Sequence, residues 1–358
     1  MASASAATSR VALDAMGGDK GPEEIVAACA QASRELKSKI SEFILVGDEK
    51  VLHPLVKQYE LDRNDRVSIR HASEVITMED KPLRAFRQKK DSSMGRAVEM
   101  VKKGEADAVV SCGNTGSLIA GGTIRLRTLA GVDRPALASV IPHQKGHFIL
   151  IDAGANPEAK PAHLVHNAIM GSIYCRIGVG VKTPRVGLLT IGTEEGKGTE
   201  RINETHQLLK KMDKLIDYRG PIEGFQIFEN EVDVVVCDGF VGNILLKTCE
   251  GMLKHLTGSL KAELTKNLLR KLGVLLTLGA YKSFKARFSP EKYGGAPLMG
   301  LGGNVLKAHG SSNRNAICGA LRIASEILDK EMNNQIIEAI HEANAIMEPE
   351  EALNALET

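Results

Sequence analysis

Five short apolar runs, each ending at a loop rich in Gly, Asn, Asp and Thr, constrain the fold of this chain more than any other feature. The runs and their loops span residues 11–19, 109–116, 148–156, 187–198 and 233–243. Each run is short, and most of its apolar residues are β-branched, which is typical of strands buried on both faces of a sheet. Amphipathic segments of helix length lie between the runs. This alternation predicts an α/β fold with a mostly parallel, helix-covered sheet.

The position of the loops indicates where a ligand would bind. Ligands of open α/β sheets bind at the carboxyl ends of the strands, so we expect the five loops to line one crevice. Small residues and backbone N–H groups suit a compact anion such as phosphate.

The alternation of strands and helices continues to about residue 247 and then stops. Residues 256–290 have helical propensity and many leucines, and residues 264–289 contain six Lys or Arg residues and no acid. We predict a basic and apolar helical hairpin inserted into a single domain that spans residues 11–345. Residues 1–10 are predicted to form a flexible tail, and residues 346–358 an acidic tail.

Composition argues against several classes of protein. A net charge of +2, 4% aromatic residues and the absence of Trp give no basis for a nucleic-acid partner. Six cysteines without paired spacing indicate reduced thiols rather than disulfides or a metal site. The sequence shows neither a signal peptide nor a run of about 20 apolar residues. We therefore expect a cytoplasmic protein.

The first two loops combine close-approach glycines with polar side chains. The residues predicted to bind phosphate or substrate there are Asp14, Gly17, Gly18, Gly113, Asn114, Thr115 and Gly116. The dinucleotide fingerprint G-x-G-x-x-G is absent from the first loop, and a plain strand-to-helix turn is the alternative interpretation. In the second loop the following helix would point its N-terminus at the ligand, and a helix cap by Thr115 or Ser117 is the alternative.

The remaining loops supply the candidates for chemistry. The residues singled out are Asp152, Asn156, Gly196, Lys197, Gly198, Asn243 and His309. Lys197 lies between glycines, where an ammonium can act as a point charge on phosphate, although a solvated lysine is the alternative. Asn243 is either a helix cap or an amide directed at a carbonyl oxygen. Asp152 has three open roles, which are to orient a cation, to bind a hydroxyl or to hold a neighbouring loop.

Taken in order, these motifs closely resemble the bacterial phosphate acyltransferases of phospholipid synthesis, the acyl-acyl-carrier-protein:phosphate acyltransferase family. The motifs are DAMGGD, SCGNTG, RPALA, DAGAN, HNAIMGS, GTEEGKG, DGFVGN, YGGAPLMGL and KAHGSS. The resemblance runs from about Val11 to Ala320. Val241 stands where the family usually has Thr, which puts a hydroxyl contact there in doubt.

The resemblance implies an acyl transfer. A fatty acyl group would pass from the thioester of acyl carrier protein to inorganic phosphate, giving acyl phosphate for a downstream glycerol-3-phosphate acyltransferase. It also implies a usually dimeric fold similar to isocitrate/isopropylmalate dehydrogenases and phosphate acetyltransferases, with no nicotinamide cofactor and no metal. The alternatives are a short-chain phosphotransacylase that uses acyl-coenzyme A and a non-catalytic module that binds acyl carrier protein or a membrane surface.

In this reaction the residues matching the family motifs have distinct expected roles. Lys197 would hold phosphate or the developing negative charge, and Asn243 would donate to the carbonyl oxygen. His309 would protonate the leaving thiolate or bind phosphate. Phosphate dianion is itself a nucleophile, so Cys112 is not expected to form a covalent intermediate.

An acidic carrier protein needs a basic landing surface. The candidate contact residues are Arg84, Arg87, Lys89, Arg270 and Lys271. The hairpin of residues 256–290 also has the composition of an element that lies on an anionic membrane, which would place the protein at the inner face of the membrane. Packing of the hairpin in a homodimer is the alternative.

Overall fold

The strands form two sheets in the computed structural model, which describes residues 9–194, 196–288 and 294–348, without the side chains of 285 and 286. The first sheet contains β1 (Ser9–Asp14), β2 (Ile40–Gly47), β3 (Val67–His71), β4 (Ala108–Ser111), β5 (Ala136–Leu137), β11 (Gly295–Met299) and β12 (Asn304–Ala308). The second sheet contains β6 (Ser139–His143), β7 (Gly146–Ile151), β8 (Arg185–Thr190), β9 (Asp217–Glu223) and β10 (Val234–Val236).

Both sheets are mostly parallel, which confirms the predicted fold class. The strand order is β3-β2-β1-β4-β12-β11-β5 in the first sheet and β6-β7-β10-β8-β9 in the second. Only β11 and β6 pair antiparallel with their neighbours in the described residues. The sequence pattern did not show that the strands divide over two sheets. The chain crosses between them at Ala138, whose N–H donates to the carbonyl of Pro297 in the first sheet, directly before β6 pairs with β7.

Helices cover the faces of the sheets. They are α1 (Pro22–Glu35), α2 (Glu49–Gln58), α3 (Pro82–Gln88), α4 (Ser93–Lys102), α5 (Thr115–Leu126), α6 (Pro161–Tyr174), α7 (Glu200–Lys210), α8 (Gly239–Leu264), α9 (Leu268–Arg287), α10 (Arg314–Asp329) and α11 (Met332–Met347). A π-helical turn at Cys175–Val179 and a 3₁₀ turn at Gln226–Phe228 complete the regular elements of the described residues.

Burial on both faces of the sheet explains why the strand sequences are continuous apolar runs. Successive side chains of a strand point to opposite faces of the sheet. Val11 and Leu13 accordingly lie in one buried cluster and Ala12 in another. The first cluster also contains Ile149 of the second sheet and residues of α1, α6, α10 and α11. This shared core holds the two sheets together and positions their loops.

Most of both predicted tails, residues 1–8 and 349–358, lies outside the described residues. Strand β1 already begins at Ser9, and α11 continues to Met347. The first helix of the hairpin starts at Gly239 and is 26 residues long, because the helix that follows the fifth loop continues without a break. Within the described residues, no helix combines the length and the apolar character needed to cross a membrane.

Candidate active site

The loops after β1, β4 and β12 meet at one edge of the first sheet. These three strands are parallel neighbours, and Asp14, Ser111 and Lys307 occupy one row across them. Asp14 is buried, and its carboxylate accepts hydrogen bonds from Ser93 Oγ (2.6 Å), Ser111 Oγ (2.6 Å) and Gly17 N (3.2 Å). Burial raises the pKa of Asp14, and these hydrogen bonds oppose the rise. Asp14 therefore links the loop after β1 to the end of β4 and to the start of α4.

The second loop is fixed by its asparagine. Asn114, rather than Thr115 or Ser117, caps α5: its Oδ1 accepts from Ser117 N at 3.0 Å. Its amide donates to the carbonyl of Met78 at 3.0 Å. The side chain of Asn114 is thus occupied in holding two segments together. Thr115 and Gly116 form the first turn of α5, where backbone N–H groups have no intrahelical acceptor and can bind an anion.

The glycines of the first two loops allow the backbones to pack closely. A Cβ on Gly17 would lie 2.5 Å from Asp14 Oδ2, and one on Gly113 would lie 2.6 Å from Met94 Cε. Gly18 lies against Cys112 and the carbonyl of Gly310, which joins the first loop to the loop after β12. The structure therefore brings these glycines together in one tightly packed floor.

The loops after β7, β8 and β10 meet at the corresponding edge of the second sheet, since these strands are also parallel neighbours. Asp152 shapes the first of them. It is fully buried and accepts from the backbone N–H groups of Leu137, Gly154, Ala155 and Asn156 at 3.0, 2.9, 2.8 and 2.6 Å. Of its three possible roles, the structure shows loop holding, and Leu137 belongs to the first sheet. Burial raises the pKa of Asp152.

Asn243 lies at the start of the second turn of α8 and does not cap this helix. The cap is Asp238, which accepts from Val241 N at 2.8 Å and pairs with Arg201. A Cβ on Gly242 would lie 1.8 Å from the carbonyl oxygen of Asp152, so only glycine permits this approach of α8 to the loop after β7. The Asn243 side chain is exposed and packs beside Gly154.

Lys197 projects from the loop after β8. Its neighbours Gly196 and Gly198 have φ values of 84° and 90°, a region that favours glycine. The side chain of Lys197 is exposed and folds back over Gly192. A cleft of 290 Å³ lies between α5 and the loop after β7, and Asn156 is among the residues that line it. The amide of Asn156 lies 3.2 Å from His163 Nδ1.

His309 lies in the loop after β12, within electrostatic range of two charged residues of α8. Its Nδ1 accepts from Ser311 N at 3.2 Å, so the neutral ring carries its proton on Nε2. Desolvation lowers the pKa of His309, and Glu250 and Lys247 of α8 perturb it in opposite directions. Since Asn243 and Lys247 are four residues apart, they share one face of α8. This face therefore looks towards the loop after β12.

Lys307 is a site residue that the sequence analysis did not single out. It is 8% exposed, and its ammonium donates to the carbonyls of Cys112 (3.4 Å) and Ala308. Burial lowers its pKa to about 8. A sequence signal was present, because a lysine within a strand buried on both faces has no solvent side to reach.

Cys112 does not have the environment of a nucleophile. The residue is buried, and desolvation raises the pKa of its thiol to about 12. The reactive form of cysteine is the thiolate, so this thiol is inert at neutral pH. All six cysteines are free.

The basic residues predicted to contact a partner differ in their surroundings. Arg84 and Arg87 are exposed on α3, which packs against α5 near the crevice. Lys89 is paired with Asp80 at 2.5 Å and donates to the carbonyl of Val75. Arg270 is paired with Glu263, whereas Lys271 is exposed on α9. Among these residues, Arg84, Arg87 and Lys271 have the more accessible charges.

Residues 9–335 match the family model described as fatty acid synthesis protein. The chain is 42% identical over 327 residues to the phosphate acyltransferase of Syntrophotalea carbinolica, covering 91% of this chain and 92% of the relative. It is 44% identical over 329 residues to the phosphate acyltransferase of Geobacter sulfurreducens, covering 92% and 93%. The chain belongs to the phosphate acyltransferase family. This confirms the resemblance carried by the ordered motifs.

Solved structures with the same fold agree with this membership. A phosphotransacetylase from Streptococcus pyogenes superposes with a TM-score of 0.61 at 15% identity, covering 90% of this chain and 94% of that one. A branched-chain phosphotransacylase from Enterococcus faecalis gives a TM-score of 0.52 at 16% identity, covering 92% and 99%. Membership of this family supports an acyltransferase that acts with phosphate in fatty acid and phospholipid synthesis.

Proposed function

We propose that this enzyme transfers a fatty acyl group from acyl-acyl carrier protein to inorganic phosphate, giving acyl phosphate and the free carrier thiol. The observation that carries the proposal is the arrangement around His309. This residue follows β12 of the first sheet, and Lys247 and Glu250 of α8, the helix that bears Asn243, are close enough to affect its charge. Lys197 lies in the loop after β8, and α8 begins at the same edge of the second sheet.

The chemistry follows from the groups at this junction. A phosphate oxygen attacks the thioester carbonyl, the new C–O bond forms, and the C–S bond breaks to release a thiolate. Asn243 donates to the carbonyl oxygen as it gains charge, and Lys197 neutralises the phosphate. Because the pKa of His309 is lowered, its ring is neutral near pH 7, and its Nε2–H donates a hydrogen bond to the phosphate or to the leaving sulfur without giving up its proton. The proton that completes the carrier thiol comes from the hydrogen phosphate or from water.

Exposed positive charge near the crevice supports the carrier protein as donor. Arg84 and Arg87 provide exposed positive charge beside α5, which suits an acidic partner. Exposed apolar side chains extend along α9, including Leu268 at 80% and Leu276 at 90% exposure. We assign this surface to contact with the anionic inner face of the membrane, where the product would pass to a glycerol-3-phosphate acyltransferase. A homodimer that leaves α9 free is compatible with this arrangement.

The decisive experiment measures acyl phosphate formed from a chain-length series of acyl-carrier-protein and acyl-coenzyme A donors. We expect long-chain carrier-protein donors to be used best. The second candidate, a short-chain phosphotransacylase, is favoured by the phosphotransacetylase-like fold, and preference for short acyl-coenzyme A would establish it instead. Absence of turnover with every donor would support the non-catalytic module.

Substitution of Lys197, with a matched control, distinguishes a loss of catalysis from a loss of folding. Lys197→Ala should reduce turnover by about 100-fold or more while the protein stays folded. Lys210→Ala is the matched control, since Lys210 is an exposed lysine at the far end of α7. Near-normal turnover of the Lys197→Ala variant would remove Lys197 from the mechanism.

The membrane contact is tested separately with vesicles of anionic and of neutral lipid. The double variant Lys271→Glu and Lys282→Glu should lose binding to anionic vesicles, because both lysines are exposed on α9. Lys210→Glu and Lys214→Glu reverse two charges elsewhere and should leave binding unchanged. Equal binding of both double variants would rule out α9 as the contact.

A further inference from the structure

Lys307 carries a buried positive charge at the carboxyl edge of the first sheet. Among the lysines of the described residues, it alone is buried. It is the last but one residue of β12 and lies in register with Ser111 of β4. Its position is therefore fixed by the sheet and does not depend on a flexible loop.

The hydrogen bonds of the ammonium are incomplete. A lysine ammonium has three N–H donors. Those of Lys307 reach two acceptors in the described residues, the carbonyls of Cys112 and Ala308. These carbonyls belong to the second loop and to the loop after β12, so the ammonium lies between the two loops.

No carboxylate of the described residues forms an ion pair with Lys307. Asp14 is the acid in the same row of the sheet, but its oxygens accept from Ser93, Ser111 and Gly17. Asp14 and Asp19 raise the pKa of Lys307, but by less than its burial lowers it. A buried charge without a paired partner is costly, so an anion that binds from the crevice would stabilise this ammonium.

The surroundings of the ammonium fit a phosphate dianion. Cys112 lies three residues before Thr115, where α5 begins and presents unpaired N–H groups. Lys247, on the α8 face that bears Asn243, is also close enough to affect the charge of Lys307. A phosphoryl group between the second loop and the loop after β12 would thus contact both the ammonium and the N-terminus of α5.

We propose that Lys307 binds the phosphate substrate through its third N–H, as the buried counter-charge at the floor of the crevice. The inference rests on the proposed function for the identity of the anion and adds a binding residue to it. Lys197 then acts on the developing charge from the loop after β8, while Lys307 holds the phosphate at the floor of the crevice.

The test measures binding of inorganic phosphate alone, without any acyl donor. Thermal shift and calorimetric titration would compare wild type, Lys307→Met, Lys307→Arg and Lys210→Met at about pH 7, with chloride matching the ionic strength. We expect Lys307→Met to weaken phosphate binding about tenfold or more, and Lys210→Met to leave it unchanged. Lys307→Arg keeps the charge and should retain most of the affinity.

The pH dependence gives a second readout that a purely structural lysine would not move. Wild-type affinity for phosphate should fall as pH rises above about 8, where the ammonium loses its proton, whereas Lys307→Arg should not show this fall. This comparison remains valid if Lys307→Met does not fold. In turnover, Lys307→Met should raise the KM for phosphate and leave the KM for the donor unchanged.

Two results would overturn the assignment. One is an unchanged phosphate affinity in folded Lys307→Met, and the other is the same pH profile for wild type and Lys307→Arg. Because no acyl donor is present, failure of the acyl-carrier-protein reaction would not produce either result. Phosphate binding that depends on Lys307 in a protein inactive with every donor would refute the proposed reaction and leave the phosphate site standing.

Discussion

Ser111 Oγ donates a 2.6 Å hydrogen bond to Asp14 Oδ2, and this contact joins the ends of β4 and β1 beneath the crevice. Ser93 makes a second bond of the same length to Oδ1 from the start of α4. Both serines and the aspartate are almost fully buried. The carboxylate thus acts as an internal anchor that sets the spacing of the first two loops.

Removing this anchor should destabilise the protein. In Asp14→Ala, two hydroxyls and the N–H of Gly17 lose their shared acceptor, and buried donors without partners cost about 1–3 kcal/mol. We expect the free energy of unfolding to fall by about this amount in urea titrations. Asp65→Asn changes an exposed aspartate and should have almost no effect. A wild-type stability for Asp14→Ala would show that the loops hold their positions without it.

Two glycines of α8 should respond in opposite ways to the same substitution. Gly242→Ala would place Cβ 1.8 Å from the carbonyl of Asp152, forcing the helix away from the loop after β7. Overpacking of this kind costs about 1–3 kcal/mol, and the displacement of Asn243 should lower turnover as well. Gly251→Ala meets open space and should stabilise α8 by up to about 1 kcal/mol. Thermal unfolding and turnover of both variants provide the comparison, and equal effects would contradict the close approach.

The sequence predicted the class of fold because buried parallel strands have a strong signature. The five runs that the sequence analysis singled out overlap β1, β4, β7, β8 and β10 in turn. The division into two sheets could not be predicted, since it depends on where the chain leaves one sheet for the other, at Ala138 and again between β10 and β11. Local periodicity contains no information on such a crossing.

The candidate site was predictable to the level of its loops but not of its contacts. Glycine and asparagine residues indicated where the crevice lies. In the structure Asn114 is a helix cap and Asp152 holds a loop, because the partners of both side chains are backbone groups. Ser93 lies beside the N-cap Ser92, so its sequence context indicates only a helix start. Its bond to Asp14 joins residues 79 positions apart, which no local pattern encodes.

Replacing Cys112 tests whether the reaction passes through an acyl-cysteine. We expect Cys112→Ala to keep turnover within about twofold of wild type, because the buried thiol has a pKa of about 12 and stays protonated. Mass spectrometry of wild type mixed with acyl donor, without phosphate, should show no acylated cysteine. A large loss of turnover in a folded Cys112→Ala variant, or an acyl adduct on Cys112, would establish covalent catalysis.

The lowered pKa of Lys307 predicts how stability changes with pH in the absence of phosphate. The ordinary lysine pKa of 10.5 is lowered to about 8 in the folded protein. Between these values the unfolded chain binds more protons than the folded one, so this residue makes the protein more stable as pH rises. The full shift corresponds to about 3 kcal/mol.

Urea titrations of wild type and Lys307→Met between about pH 7 and pH 10 measure this effect. Cysteines with raised pKa values lower the stability of both proteins over the same range, so the difference between the two proteins reports the lysine together with its electrostatic coupling to Cys112. We expect wild type to gain stability relative to Lys307→Met as pH rises through about 8. Parallel curves would mean that Lys307 stays protonated in the folded protein over the whole range, because an anionic group of the protein is already paired with it.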